Sequence, residues 1–304
     1  MASIDTPMKP FQVTSADGTS IQVWQAGTGP HRVLLSPGMG TPVLCWKYLF
    51  ERFADRVTFV TWDPRGCYGS AKPADPANVE VANHVDDGEA VLAALGWSGS
   101  PYVCAGWSMG VQLSLELYAR HPDDVAGLVL INGAFEHVLR TVTLFPGAEP
   151  VVDRLLGLGQ RLGPYTSPVV RALLSQDWSI QALLHLGIVS DNEAFFGEVL
   201  KEFRLLDFGF YSGMIRALNH HSSRALAPTV RVPTLITAGT ADKMTPLETA
   251  RELRFLIPDA ELFVIPNGTH YTTLEYPEIV NLKLDDFFRR RVFDGTWDLQ
   301  PSRS

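Results

Sequence analysis

The chain has 304 residues, 46% of them hydrophobic and 19% charged, with 25 Lys and Arg against 33 Asp and Glu for a formal net charge of −8. That composition suits a folded chain with a sizeable core and excludes a disordered or low-complexity one. The acidic balance provides no general basic field for a phosphate backbone, so nucleic acid is not expected as a partner. At this length one large domain with an insertion or second lobe is expected. The first residues, Met1-Ala2-Ser3-Ile4-Asp5-Thr6, show no basic stretch followed by an apolar one, and no apolar run reaches membrane-spanning length. A cytoplasmic protein without a membrane span is therefore expected. Cys45, Cys67 and Cys104 are odd in number and lack paired spacing. They are read as reduced thiols rather than a disulfide framework or zinc site.

From Phe11 to Gln25 apolar and polar residues alternate around Asp17-Gly18, which predicts a hairpin of two antiparallel strands. Val33-Leu34-Leu35 is a continuous apolar run before Pro37-Gly38, as expected of a strand buried on both faces. A helix is predicted over Val43–Phe53, a strand over Val57–Trp62, and a helix over Val79–Leu95. Tyr102–Ala105 reads as a strand, Ser108–Arg120 as a helix stopped by Pro122, and Val125–Ile131 as a sixth strand. This alternation implies a mostly parallel sheet with helices on both faces.

From about residue 133 to 231 the pattern changes to helical periodicity alone. Paired apolar residues (Leu155-Leu156, Val169-Val170, Leu173-Leu174, Leu183-Leu184, Val199-Leu200, Leu205-Leu206) mark short helices. Pro146, Pro150, Gly163-Pro164, Pro168, Gly209 and Gly213 are read as breaks between them. Alternation resumes with a strand over Val232–Thr237, a helix over Pro246–Leu256, a strand over Glu261–Ile265 and a closing helix from Leu274 to about Phe288. The expected organisation is an eight-stranded α/β core of residues 1–132 and 232–304, with an all-helical cap of 133–231 inserted after the sixth strand. The tail from Arg289-Arg290-Arg291 to Ser304 is read as a solvated end.

Gly106-Trp107-Ser108-Met109-Gly110 matches G-x-S-x-G. The pattern is short, and serine is also a preferred helix N-cap. Its setting between a buried strand and a helix is what makes it a candidate nucleophile elbow. A serine hydroxyl needs a base. Of the eight histidines, His270 lies in the loop past the last strand, at the carboxyl edge of the parallel sheet where sites form. The imidazole needs an orienting carboxylate. Asp242, just past the strand ending near Thr237, is the candidate, and Glu136 the rival; Thr245 is the better-placed cap for the helix that follows. The order Ser108, Asp242, His270 fits an α/β fold of this kind.

On four stretches the chain resembles the α/β-hydrolase superfamily, in its lidded serine-nucleophile, esterase- or lipase-like branch. They are Ser36-Pro37-Gly38-Met39-Gly40, Asp63-Pro64-Arg65-Gly66, the Ser108 elbow, and Gly239…Asp242…Pro246 with His270. The resemblance spans about residues 10–290. It implies that the backbone amides of Met39 and Met109 form an oxyanion hole, and that Asp63 and Arg65 hold a loop. In similar chains the first stretch usually reads His-Gly-x, and Pro37 stands in place of the histidine. The second commonly reads Asp-x-Arg-Gly-x-Gly-x-Ser, and Tyr68 stands at the second glycine. Tyr68, as an aromatic beside the pocket, and Trp107, next to the serine, are candidate substrate-binding residues.

The expected activity is hydrolysis of a carboxylic ester or thioester of a medium-sized hydrophobic small molecule, through an acyl-enzyme on Ser108 and with neither metal nor organic cofactor. Similar dehalogenases and epoxide hydrolases carry aspartate at the elbow, which disfavours their chemistry here. Acyl transfer, carbon–carbon bond hydrolysis and cofactor-free perhydrolysis are open to the same triad, and a non-catalytic ligand-binding protein is the remaining reading. The apolar residues of 133–231, among them Leu155, Leu158, Leu173, Phe195, Phe203, Phe208, Tyr211 and Met214, are expected mostly to pack that segment on the sheet, with a minority facing the pocket. His220-His221 is read as a surface pair near a helix end, because adjacent helical residues share no face. A monomer or homodimer is expected.

Overall fold

The computed structural model describes residues 4–142, 147–176, 178–185, 193–293 and 295–298, with the side chains of residues 141, 142, 164, 180, 183, 184 and 193–195 left out of the description. Pro146, the side chains of Leu183, Leu184 and Phe195, and the tail beyond residue 298 thus lie outside the described residues.

The hairpin forms as the turn chemistry requires. Strands β1 (Met8–Thr14) and β2 (Ser20–Ala26) pair antiparallel with Val13 opposite Ile21. Gly18 takes φ +84°, and the Asp17 carboxylate accepts the Thr19 amide at 3.0 Å. The chain continues through β3 (His31–Ser36), a short 3₁₀ turn at Val43–Trp46, α1 (Lys47–Phe53) and β4 (Val57–Trp62). It then runs through α2 (Val81–Leu95), β5 (Tyr102–Trp107), α3 (Met109–Arg120) and β6 (Val125–Ile131). Among the described residues six α-helices follow: α4 (Val138–Val142), α5 (Glu149–Arg161), α6 (Gly163–Leu174), α7 (Trp178–His185), α8 (Glu193–Phe203) and α9 (Phe208–His220). The chain returns to the sheet with β7 (Thr234–Gly239), α10 (Leu247–Leu256), β8 (Ala260–Ile265), α11 (Thr272–Glu275) and α12 (Pro277–Phe287).

The eight strands form one sheet in the order β1-β2-β4-β3-β5-β6-β7-β8, antiparallel at β1–β2 and β2–β4 and parallel from there on. The inner strands read as apolar runs because helices cover both faces, and every residue of β5 and β7 is buried. On one face Leu49, Phe50 and Phe53 of α1 pack with Val280, Leu284 and Phe287 of α12. On the other, Val85 and Leu92 of α2, Leu113 and Leu117 of α3 and Leu253 of α10 share a core.

Three expectations change. Pro168, Gly209 and Gly213 lie inside helices rather than between them. Gly209 is glycine because α6 and α9 touch there: a Cβ on it would meet the Gly163 Cα at 2.5 Å. The apolar residues of the inserted helices are not mostly packed on the sheet. Leu155 is 62% and Tyr165 77% exposed, and α5 has no buried residue, because it leans along α9 with only a stripe of its surface covered. Third, the described part of the tail, as far as Asp298, is not a solvated end. Trp297 is 1% exposed, stacked on Phe293 and packed against Phe53 and Phe288, while Arg289, Arg290 and Arg291 are paired with Asp285, Asp286 and Asp259.

Candidate active site

β5 delivers Ser108 to the head of α3 through a turn with no room to spare. Ser108 has φ 58° and ψ −117°, a conformation costly for a residue with a Cβ. Its neighbours must be glycine: a Cβ on Gly106 would lie 1.9 Å from the Gly110 carbonyl oxygen, and one on Gly110 would lie 2.1 Å from the Ser36 carbonyl oxygen. Gly38 approaches from β3, and a Cβ there would sit 3.3 Å from that of Ser108.

His270 lies in the segment between β8 and α11 and is 3% exposed. Its Nδ1 is 2.9 Å from Asp242 Oδ2 and 3.3 Å from Thr245 Oγ1. The Trp107 indole N–H donates to its carbonyl at 3.0 Å. Asp242 sits in the turn after β7 and is the hub of the network. Its Oδ1 accepts the amides of Met244 and Thr245, both at 2.8 Å, and its Oδ2 accepts Thr245 Oγ1 at 2.8 Å and Asn132 Nδ2 at 3.0 Å. Burial by itself pushes the Asp242 carboxyl up, but the charge and hydrogen bond of His270, with those of Thr245 and Asn132, outweigh it and hold the group below the ordinary carboxylate range.

The sequence reading missed two members. Asn132 follows β6 at φ +41°, donates also to the Thr269 carbonyl at 3.1 Å, and accepts from Thr272 Oγ1. An asparagine before a glycine at a strand end was a local signal, yet its partners lie 110 to 140 residues on. Thr245 does not cap α10, whose N-cap is Pro246 without a side-chain bond; it serves Asp242 instead. Glu136, the rival acid, is engaged elsewhere, by Arg224 at 2.8 Å and Ser222 at 2.7 Å.

Ser108 and His270 open into one cavity of about 290 Å³. Met39, Thr41, Cys45, Trp107, Met244 and Tyr271 line its core side, and Leu174, Phe196, Val199, Leu200, Phe203, Phe208 and Tyr211 come from the inserted helices. The amides of Met39 and Met109, the latter the first residue of α3, make no hydrogen bond within the described residues. Tyr68 is not among the lining residues; its hydroxyl donates to the Gly40 carbonyl behind the loop. Arg65 is fully buried and bonds Asp87, Asp17 and the carbonyls of Asn78 and Asn83, while Asp63 accepts from Trp24 and the Gly69 amide. His220 and His221 diverge, to Asp153 and Glu116. Among the described residues no three His, Cys, Asp or Glu side chains gather at metal-binding spacing, and no helix is long and apolar enough to cross a membrane.

An eight-stranded sheet with a strained serine at this point defines a class, and the chain belongs to it: residues 32–277 match the α/β-hydrolase fold family. Hydrolases are among its relatives, and the chain is an α/β-hydrolase enzyme. It is 27% identical to a Caulobacter sp. protein provisionally named carbamate hydrolase RutD, over 84% of this chain and 89% of that one. It is 28% identical to the pimeloyl-[acyl-carrier protein] methyl ester esterase of Neisseria meningitidis, over 79% of this chain and 88% of that one. Among solved structures, an esterase from Exiguobacterium antarcticum superposes with a TM-score of 0.74 at 19% identity, covering 92% of this chain and 99% of that one, a likeness of fold.

Proposed function

We propose that the protein is a serine hydrolase that cleaves a carboxylic ester or thioester of a medium-sized hydrophobic small molecule through an acyl-enzyme on Ser108. One arrangement carries the reading: a serine on a strained elbow shares an apolar cavity with a histidine whose other ring nitrogen is held by a buried carboxylate. In this reading Ser108 Oγ attacks the carbonyl carbon while His270 Nε2 takes its proton. The tetrahedral oxyanion is met by the amides of Met39 and Met109, and collapse expels the alcohol or thiol, which takes the proton from His270. A water activated by His270 then releases the acid. Asp242 keeps the Nδ1 proton in place and offsets the imidazolium charge, a role that suits a carboxyl held ionised. An oxyanion donor contributes about 3–4 kcal/mol in comparable sites.

Residues 133–231 act as a cap that supplies the substrate-facing apolar wall, from Leu174 on α6 to Tyr211 on α9. The lining holds few polar groups besides Ser108, Thr41 and His270, which suits uncharged substrates, and its volume suits a short to medium acyl or alcohol group. The test is labelling by a fluorophosphonate, followed by a panel of p-nitrophenyl esters, methyl esters, acyl thioesters and carbamates of graded length. Labelling at Ser108, its loss in Ser108→Ala and a preference for uncharged acyl groups are expected. An unlabelled, folded wild type would overturn the reading, and a preference for charged esters would overturn its substrate class.

A further inference from the structure

Tyr68 holds a conformation that is costly for its residue type. Its φ is +49°, where a bulky side chain rarely sits. Two contacts account for the tyrosine. Its ring packs with the cluster of Cys67, Val79, Leu206, Met214 and Ala217, where the core loop meets the inserted helices. Its hydroxyl donates to the carbonyl oxygen of Gly40, and burial pushes the phenol well above its ordinary range, so it remains a donor at working pH.

Gly40 belongs to the strip Gly38-Met39-Gly40, which is caught between two surfaces. Gly38 lies against the elbow, where a Cβ would meet the Trp107 carbonyl oxygen at 3.1 Å. Gly40, at φ +65°, lies under the inserted helices, where a Cβ would meet Leu206 and Tyr211 at 2.9 Å. Between them Met39 lines the cavity with an amide that has no partner among the described residues. A glycine at each side leaves the Met39 peptide free to rotate unless its neighbours' carbonyls are held. The Gly38 carbonyl, in the same peptide as the Met39 amide, accepts the Thr41 amide at 3.2 Å, which closes Gly38–Thr41 into a turn; the far side of that turn is held by Tyr68 at the Gly40 carbonyl, with the Tyr211 hydroxyl 3.5 Å from the Met39 carbonyl as a weaker contact.

We propose that Tyr68 is a positioning residue for catalysis: by holding the Gly40 carbonyl it fixes the Gly38–Thr41 turn, and through that turn the Met39 amide, toward the oxygen that becomes negative when Ser108 attacks. The inference rests on the serine-hydrolase reading and adds to it a residue outside the cavity. The strain at Tyr68 is then part of the site's preorganisation, as is the strain at Ser108.

The experiment compares wild type, Tyr68→Phe and Tyr68→Gly with p-nitrophenyl butyrate, with turnover expressed per Ser108 labelled by a fluorophosphonate so that loss of folded protein cannot mimic loss of rate. A trifluoromethyl ketone of matching chain length, which adds to the serine and places an oxyanion in the hole, gives the second readout. Tyr68→Phe is expected to lower kcat by about 10- to 100-fold, a part of what removal of an oxyanion donor costs, with KM within about twofold. Ketone affinity should fall by the same factor as kcat/KM. Tyr68→Gly should show the same kcat loss despite relief of its backbone strain. Unchanged kcat in Tyr68→Phe with a labelled wild type would overturn the positioning role and leave the hydrolase reading intact. So would a loss confined to KM, or an unchanged ketone affinity. An unlabelled wild type would overturn both.

Discussion

Ser108 stands clear of the sheet only through a strained backbone. Holding a side chain at φ 58° costs about 1–3 kcal/mol, and glycine relieves that at an entropic cost of about 0.5–1 kcal/mol. Ser108→Gly is therefore expected to be inactive yet as stable as wild type or up to about 2 kcal/mol more stable, as read from urea unfolding. A clear loss of stability would show that the turn is not strained. Two buried carboxyls act in opposite senses. Burial raises the Asp63 carboxyl to about 6, against the bonds from Gly69 and Trp24 that lower it. A raised folded value means stability that is present below the unfolded 3.8 and lost as pH rises through about 6. Asp242, held below its unfolded value, contributes stability above that value, lost as pH falls through its folded one. Between about pH 4 and about pH 6 the stability of wild type relative to Asp63→Asn should thus fall with rising pH. Relative to Asp242→Asn it should fall only on acidification below about 4. Unfolding midpoints across a pH series check both slopes. The serine, the histidine and Asp242 were legible as candidates because each follows a predicted strand at the same sheet edge. Asn132 and Thr245 were not, since their task is to bond Asp242 and nothing local records it.

At the scale of the element, glycine has two separate meanings in this chain. Gly18 is in a hairpin turn at φ +84°, and a Cβ there would meet nothing within 4 Å, so Gly18→Ala meets only backbone strain, about 1 kcal/mol. Gly106 and Gly110 are hemmed in by backbone, which cannot yield as a side chain can. Gly106→Ala is expected to cost more than about 3 kcal/mol, or to displace Ser108 and abolish turnover in whatever folds. Equal effects at the two sites, measured by chemical denaturation and fluorophosphonate labelling, would contradict this. The same distinction explains the misread breaks in the inserted helices. A glycine that permits close contact between two helices, as Gly209 does with Gly163, looks identical in sequence to one that ends a helix.

For the whole molecule, the tail is the least expected part of the core. Trp297 fills a pocket among Phe53 of α1, Phe288 and Phe293, its indole N–H donating to Asp285 at 3.2 Å and its ring 4.5 Å from the Arg56 guanidinium. Trp297→Ala is expected to destabilise by about 3–5 kcal/mol while leaving turnover per folded molecule unchanged, as read by urea unfolding and labelled-serine kinetics. A change within about 0.5 kcal/mol would return the tail to solvent. The three arginines before it suggested a surface, and they are at the surface. The aromatic residues spaced through the same stretch were the better indicator of burial.

Alone, the sequence determined the strand and helix order, the sheet class, the elbow and the sheet edge at which the site assembles. These follow from periodicity, turn chemistry and chain direction, all of which are local. Tertiary structure decided what depends on distant segments meeting. It decided that Asp242 rather than Glu136 faces His270, and that Asn132 and Thr245 complete the network. It also decided that Tyr68 stands behind the Met39 loop instead of in the cavity, and which apolar residues of 133–231 face the pocket, a helix or water. A hydrogen bond or packed face across 100 residues leaves no local pattern, because either partner would read the same without the other.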